Sequence, residues 1–198
     1  MPLQNRVDPF GHLHAVAVRG TLMGNRGILH DDAKAIGASR WTTKAWIACR
    51  LEVPGRRREL MAAGSYTELF FLDEVTALAA GHRPCFECRR RDAQRFAHAC
   101  GALTAPAIDD LLHRERFLVH EETAERDIYS ALLPEGTAIR AGGEVFMRHA
   151  RGWLRWSFEG YETATLPEGR HDLITPTLTV RALAHGYAPQ WHPTSEAA

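Results

Sequence analysis

Two cysteines separated by two residues form the stretch of this sequence best suited to chemistry. Cys85 and Cys88 make a C-x-x-C motif, and three arginines follow directly at 89–91. Thiolates at this spacing can bind one Zn²⁺ without strain, and neighbouring guanidinium groups favour the charged sulfur. The motif supplies only half of a tetrahedral site, so a redox pair and two ordinary buried thiols are the alternatives. A thioredoxin-like motif would begin a helix after a strand in a βαβ unit, and that context is absent.

The residues before the motif predict a strand and a short helix that would hold the two cysteines in place. Residues 66–72 are aromatic and apolar, as in a buried strand, and Asp73 is suited to cap a helix N-terminus. Residues 74–80 are strong helix formers. Gly81 favours the left-handed conformation that ends a helix, and Pro84 prevents its continuation. We therefore expect the C-x-x-C motif in a rigid turn, a knuckle, just after a helix C-terminus.

A second candidate site lies in and after the glycine-rich segment 20–27. Its three glycines are interleaved with Asn25 and Arg26, so that backbone amides and a guanidinium could approach an anion closely. The segment is neither a Walker loop nor a dinucleotide-binding fingerprint, and a structural turn is the alternative. His30 and Asp31 follow, and they could supply a metal ligand or a general base. A helix N-cap at Asp31 is the simpler interpretation.

Arginines dominate a predicted hairpin that follows this segment. Residues 41–53 alternate as in a strand, with Cys49 on the apolar side, and Pro54-Gly55 predicts a turn. Arg50 lies in the first arm, and three more arginines open the second arm: Arg56, Arg57 and Arg58. These four side chains could contact the phosphates of a nucleic acid. An ordinary solvated hairpin tip is the alternative.

The composition is that of a globular protein without an excess of charge. The 198 residues include 24 Lys and Arg and 24 Asp and Glu, so affinity for a nucleic acid would require a local basic patch. Lys34 and Lys44 are the only lysines. Arginine suits phosphate contacts, but a GC-rich genome gives the same bias. The four cysteines do not resemble a disulfide scaffold, no apolar run approaches membrane-spanning length and no leader segment is evident, so we expect a cytoplasmic protein without membrane contact.

The rest of the chain predicts an α+β fold with a β-rich second half. A helix is expected from Asp92 to about Cys100, and a short linker at 104–106 divides the chain into regions 1–105 and 106–198, which could still pack as one domain. The first region would be a small hairpin or sheet with short helices and the knuckle. In the second, the predicted elements are a helix at 109–117, strands at 137–140, 144–149 and 152–158, and a closing helix from 176 to 185.

The central stretch resembles a known family. Residues 69–91 lead from an aromatic strand through ALAAGHRPC into the C-x-x-C motif, which resembles the second half of the zinc-binding domain of Ada DNA-repair methyltransferases. Residues 40–50, RWTTKAWIACR, are similar to the Ada segment in which a Thr-Thr-Gly turn leads to the first zinc cysteine. The resemblance covers residues 40–91, under a third of the chain.

This resemblance implies a zinc site. In the Ada domain four cysteines hold the zinc, and the first also accepts a methyl group from a DNA phosphotriester. The resemblance therefore assigns Cys49, Cys85 and Cys88 as zinc ligands, with Cys49 at the methyl-acceptor position. The remaining ligand would lie four residues after Cys49, where this chain has Val53. We expect His30 to replace it, or the zinc to keep an open position as in catalytic sites; an Ada-like fold that has lost its metal is the alternative.

Three hypotheses of function follow from these patterns. The first is a zinc-knuckle protein that binds nucleic acid, in DNA repair or processing, through Arg26, Arg50 and the arginines at 56–58. The second is a metal-assisted hydrolase with its site at 24–32, where His30 and Asp31 would be catalytic. The third is a structural or interaction module without a metal. The sequence predicts neither a substrate nor an oligomeric state.

Overall fold

The fold is α+β, with two sheets and five helices in the residues described by the computed structural model, which are 1–52, 55, 59–120, 132–168 and 171–198. The strands of the first sheet are β1 (Arg6–Val7), β2 (Leu13–His14), β3 (Leu22–Asn25), β4 (Ile47–Arg50), β5 (Leu69–Phe71) and β6 (Arg83–Pro84). Those of the second are β7 (Ala138–Ala141), β8 (Glu144–His149), β9 (Gly152–Trp156), β10 (Tyr161–Ala164) and β11 (His171–Leu173). The helices are α1 (Glu74–Ala79), α2 (Arg90–Ala99), α3 (Ala105–His120), α4 (Thr177–Ala184) and α5 (Thr194–Ala197).

The first sheet brings together strands that are distant in sequence. Its spatial order is β2-β1-β5-β3-β4-β6. Strands β3 and β4 pair antiparallel, with Met23 opposite Cys49, whereas β4 and β6 pair parallel, with Ala48 opposite Pro84. This parallel pairing places the segment that enters the C-x-x-C motif beside the strand that carries Cys49.

The second sheet confirms the predicted β-rich half. Its order is β10-β9-β8-β7-β11, and every neighbouring pair is antiparallel. Strands β7, β8 and β9 match the three strands predicted from the sequence. Gly142 and Gly143 form the turn between β7 and β8, both at positive φ. Alternating apolar residues bury one face, including Val145, Met147 and Leu154.

Helix α1 begins and ends as its sequence predicts. Asp73 is its N-cap and accepts a 2.9 Å hydrogen bond from the backbone N–H of Thr76. Gly81 follows the helix at φ 78°, the left-handed conformation that few other residues adopt without strain. The buried Asp73 carboxylate also accepts hydrogen bonds from the Tyr161 hydroxyl and the His192 backbone, at 2.8 and 3.0 Å. The cap therefore fixes the start of α1 to the C-terminal half of the protein.

The N-terminus of helix α4 is capped by a side chain from another helix. The Thr175 hydroxyl accepts a hydrogen bond from the Ala138 backbone at 2.7 Å and does not cap the helix. The carboxylate of Glu115, from α3, accepts the N–H groups of Thr177 and Leu178 instead. A side chain 62 residues before Thr177 in the sequence thus accepts hydrogen bonds from N–H groups of the first turn of α4, which have no partner within the helix.

The apolar core crosses the predicted boundary at 104–106. Phe96 of α2 packs with Leu178 and Leu183 of α4, and Val75 of α1 packs with Met147 of β8. The two halves therefore share their cores. Within the described residues, no helix combines the length and the apolar character that a membrane crossing requires.

Gly24 lies in the middle of the first sheet, where a side chain has no room. A Cβ atom there would lie 2.2 Å from the Ile47 carbonyl oxygen and 2.9 Å from the Phe71 ring. Gly24→Ala is expected to lower the free energy of unfolding by about 1–3 kcal/mol, because the strands must move apart. Urea unfolding followed by circular dichroism measures this change.

Gly37→Ala is the matched control for this substitution. A Cβ at Gly37 has only the Leu29 carbonyl oxygen nearby, at 3.6 Å, which is an ordinary contact. Its unfolding midpoint should stay close to that of the wild type. Equal midpoints for the two variants would contradict the tight packing between β3 and β4.

Candidate metal centre

Three cysteines from two segments of the chain converge beside strands β4 and β6 of the first sheet. Cys49 lies in β4, Cys85 follows β6 and Cys88 precedes α2. Their three Sγ atoms lie within 4.8 Å of one another, and none forms a disulfide. Tetrahedral zinc with Zn–S bonds of about 2.3 Å separates its sulfur ligands by about 3.8 Å. A small contraction of the cluster would therefore give three of the four ligands of a zinc ion.

The backbone around the three cysteines is arranged to support negative sulfur. The Cys85 N–H donates to the Ala48 carbonyl at 3.0 Å, which extends the pairing of β4 and β6 to the cysteine itself. The Glu87 N–H donates to Cys85 Sγ at 3.4 Å. Backbone N–H groups also lower the pKa of Cys85 and oppose the effect of burial on the pKa of Cys88. Hydrogen bonds of this kind favour the thiolate, the form that binds metal.

In the metal-free protein the three thiols share their protons unequally. The hydrogen bond donated by Cys49 lowers the pKa of Cys85 to about 5. The same hydrogen bond, together with burial, raises the pKa of Cys49 far above its ordinary value. Burial also raises the pKa of Cys88. Cys85 is therefore the thiol of the cluster that most readily loses its proton, and a divalent cation would displace the protons of the thiols that it binds.

Cys88 also lines a cavity that is rich in arginine. The cavity has a volume of about 460 Å³. Its other lining residues are Arg50, Glu87, Arg89, Arg90, Arg91, Asp92, Arg95 and Gln190. Five guanidinium groups face two carboxylates, and Asp92 is already paired with Arg89 at 3.0 Å. We call this cavity the arginine pocket; its charge suits an anion.

Arg89 is the buried member of the arginine pocket. Its side chain is 2% exposed, and Nη2 donates to the Glu74 carboxylate at 2.7 Å. Burial alone would lower the pKa of Arg89, but the Glu74 carboxylate raises it above the ordinary value. Nη1 of Arg89 has no hydrogen-bond partner within the described residues. A buried N–H group without a hydrogen-bond partner is rare in folded proteins.

No family model, no curated protein and no solved structure matches this chain significantly. The site is therefore interpreted from its own geometry. The resemblance of residues 40–91 to the Ada domain stays a prediction.

His30 does not lie with the cysteines, which corrects its expected role as the fourth zinc ligand. Its Nδ1 contacts the Thr67 hydroxyl at 2.6 Å, and its Nε2 contacts the Ala62 carbonyl at 3.4 Å. Both ring nitrogens are thus used inside the fold. Within the described residues, no other His, Cys, Asp or Glu joins the cluster, and Val53 lies outside them. The donor set fits a zinc ion with three thiolates and an open fourth position.

Asp31 does not form a catalytic pair with His30. Its Oδ1 accepts the N–H groups of Ala33 and Ala35, both at 2.9 Å, so it closes a turn. The expected helix N-cap at Asp31 is also wrong, because no helix follows it. His30 and Asp31 both form hydrogen bonds within the fold, and the hydrolase hypothesis for residues 24–32 stays a prediction.

Arg26 is buried, which corrects its expected contact with nucleic acid. It is 1% exposed, its guanidinium lies 3.9 Å from the centre of the Trp46 ring, and Nη1 donates to the Gly11 carbonyl at 2.8 Å. Arg116 lies over the same ring at 4.2 Å. Burial and the charge of Arg116 lower the pKa of Arg26 to about 9. The glycine-rich segment thus holds an arginine of the core.

The predicted arginines of the hairpin divide into two groups. Arg50 is exposed and lines the arginine pocket, as phosphate binding would require. Arg56, Arg57 and Arg58 lie outside the described residues. Arg95 was not predicted as a site residue, because the helix was predicted to begin only at Asp92. In the structure α2 begins at Arg90, so that Arg95 lies one turn after Arg91 on the same face.

Proposed function

We propose that this protein binds Zn²⁺ through Cys49, Cys85 and Cys88 and binds nucleic acid through phosphate contacts in the arginine pocket. The observation that carries the proposal is that Cys88 and five arginines line the same cavity. A metal centre and a polyanion site would then be neighbours. The same proposal includes the arginines at 56–58 as further contacts to the phosphates of the nucleic acid.

Zinc is the metal that this donor set suits best. Three thiolates are soft ligands, which favour Zn²⁺ over the hard cations Mg²⁺ and Ca²⁺. The fourth position would be taken by water or by an oxygen of the bound phosphate. Zinc supplies Lewis acidity to such an oxygen. The arginines of this chain would orient the phosphate beside it.

The arginine pocket suits phosphate in three ways. Arginine offers planar pairs of N–H donors that match phosphate oxygens. Arg50, Arg90, Arg91 and Arg95 are exposed, so a ligand can reach them from solvent. The N-terminus of the ten-residue helix α2 opens into the same cavity and adds a partial positive charge.

The proposal also includes a role in DNA repair or processing. A thiolate on zinc remains a nucleophile. Cys49, the methyl acceptor implied by the Ada resemblance, is 6% exposed, whereas Cys88 is half-buried and lines the pocket. We therefore place any reaction with a bound strand at Cys88 or at the open metal position.

Removing two exposed arginines of the pocket tests nucleic-acid binding. The double variant Arg91→Ala, Arg95→Ala should bind a fluorescent DNA oligonucleotide about 100-fold more weakly, since each charged hydrogen bond contributes about 1.5 kcal/mol. For duplex DNA, the slope of log K against log salt should fall in magnitude by about 1.8. Fluorescence anisotropy of the zinc-loaded protein at several salt concentrations measures both quantities.

The matched control removes the same charge elsewhere. Arg19→Ala, Arg114→Ala changes two exposed arginines that do not line the pocket. This control should keep wild-type affinity apart from a small general effect of charge. Equal losses in the two double variants would rule out the pocket as the binding site. No measurable affinity of the wild type for single-stranded DNA, duplex DNA or RNA would favour the structural or interaction module.

A further inference from the structure

The hairpin of β1 and β2 places three potential metal ligands on one face. In its register Val7 pairs with Leu13 and Arg6 pairs with His14, so Asp8 and His12 are opposed at the loop end. Side chains two residues apart on a strand point the same way. Asp8, His12 and His14 therefore share a face of the hairpin.

Ligand atoms of these three residues converge. His14 Nε2 lies 2.8 Å from Asp8 Oδ2, and His12 Nδ1 lies 3.4 Å from the same oxygen. All three atoms lie within 4.8 Å of one another. Ligands in a tetrahedral zinc site with bonds of about 2.0–2.1 Å are separated by about 3.3 Å. The observed separations bracket this value, so an ion would require shifts of about half an ångström.

The loop pre-organises the carboxylate. Asp8 Oδ1 accepts the His12 backbone N–H at 2.9 Å, which leaves Oδ2 directed to the two imidazoles. The Asp8 N–H donates to the His12 carbonyl, and Arg26 Nη1 donates to the Gly11 carbonyl, so the loop is held from both sides. The carboxylate is 11% exposed, whereas the His12 and His14 side chains are 51% and 40% exposed. One buried anchor and two accessible imidazoles leave an open side for water or substrate.

We infer that Asp8, His12 and His14 form a second binding site, for a divalent first-row metal ion. Two imidazoles and one carboxylate with open positions suit Zn²⁺, Fe²⁺ or Co²⁺. The inference is independent of the proposed function. Strands β2 and β6 are the two edges of the six-stranded sheet, so the new site and the cysteine centre are separated by on the order of 20 Å.

An ion pair that only stabilises the hairpin is the competing interpretation. Asp8 and the two histidines would then bind each other through protons, with no metal. Arg6 also lies on this face, opposite His14, and a guanidinium close to the site would repel a bound metal ion. Its guanidinium is directed elsewhere, however, because it donates to the Val18 carbonyl and to the Asn5 side chain. Metal binding by the three residues distinguishes the two interpretations.

A Co²⁺ titration of the full-length, reduced, metal-free protein tests the inference. Co²⁺ bound by thiolates gives intense sulfur-to-metal charge-transfer absorption, whereas Co²⁺ bound by imidazole and carboxylate gives only weak ligand-field bands. We expect two equivalents to bind, only one of them with charge-transfer absorption. His12→Ala and His14→Ala should each lose the equivalent without charge transfer and keep the other.

Two further variants keep this test decisive. His14→Gln retains a hydrogen-bond donor for Asp8 but lacks the imidazole, so loss of the second equivalent from a folded His14→Gln protein supports the site. His98→Ala removes an exposed histidine of α2 and should bind both equivalents. A wild type that binds only the charge-transfer equivalent, or a second equivalent that survives in His14→Ala and His14→Gln, overturns the inference. Binding of only the equivalent without charge transfer supports this site and rejects the cysteine centre.

Discussion

Cys85→Ala is expected to remove the zinc bound at the cysteine centre, about one equivalent per chain, and the stabilisation that this zinc gives. The Cys85 sulfur lies within 4.8 Å of the other two cysteine sulfurs, and it accepts the Glu87 N–H. A ligand present at 1,000 times its dissociation constant stabilises a fold by about 4 kcal/mol. For a chain of this size that corresponds to about 8–16 °C in Tm. Elemental analysis and thermal unfolding with and without EDTA measure the two effects.

Cys100→Ala is the control for this prediction. Cys100 is also a buried cysteine, at the C-terminus of α2, but it packs in the apolar core and burial raises its pKa to about 12. The Cys100→Ala protein should retain about one zinc per chain at the cysteine centre and the full response to EDTA. Equal zinc content in Cys85→Ala and Cys100→Ala would reject the cysteine centre.

Glu74→Gln is expected to lower the free energy of unfolding by about 3–5 kcal/mol, because it leaves a buried guanidinium without its main partner. Glu74 is 1% exposed, and its carboxylate also accepts the Tyr187 hydroxyl at 2.5 Å and the Gln190 N–H at 2.9 Å. The substitution keeps the shape of the side chain, removes its charge and replaces one of its two accepting oxygens with an NH₂ group. Chemical unfolding of the metal-free protein measures the loss without a contribution from zinc.

Glu144→Gln is the matched control for Glu74. Glu144 pairs with Arg155 at 3.2 Å, and both side chains are about half exposed. Exposed pairs of this kind contribute at most about 1 kcal/mol. If the two variants lose the same stability, Arg89 is not held by a buried ion pair. Because Arg89 follows Cys88 directly, Glu74→Gln should also weaken zinc binding.

The elements that the sequence predicted well are those with local signals. The Asp73 cap, the stop at Gly81 and the hairpins at Gly142-Gly143 depend on residues within a few positions of each other. The spacing of the C-x-x-C motif likewise predicted that the sulfurs of Cys85 and Cys88 could bind one metal ion. Cys49 was added through the resemblance of residues 40–50 to the Ada segment, and the structure places it with the pair.

The features that the sequence did not reveal depend on contacts between distant segments. The parallel pairing of β4 with β6 joins residues more than 30 positions apart, and nothing local to either strand encodes it. His30 was chosen as a ligand by residue type, yet its ring is used by Thr67 and Ala62. The carboxylate that caps α4 comes from α3. The Asp8 site did have a sequence signal that was not used: a His-x-His pair, His12 and His14, follows a turn that contains Asp8.

The buried arginines limit which basic residue the chain can use. Within the described residues, Arg26, Arg83, Arg89 and Arg116 are buried. Arg83 binds Asp109 with two parallel hydrogen bonds of 2.8 Å, and the guanidinium carbons of Arg26 and Arg116 lie over the Trp46 ring, 3.9 and 4.2 Å from its centre. A lysine ammonium can neither donate a planar fork nor stack as a guanidinium does. The packing at these four positions therefore requires arginine and excludes lysine. On the exposed surface, lysine can replace arginine without losing such contacts.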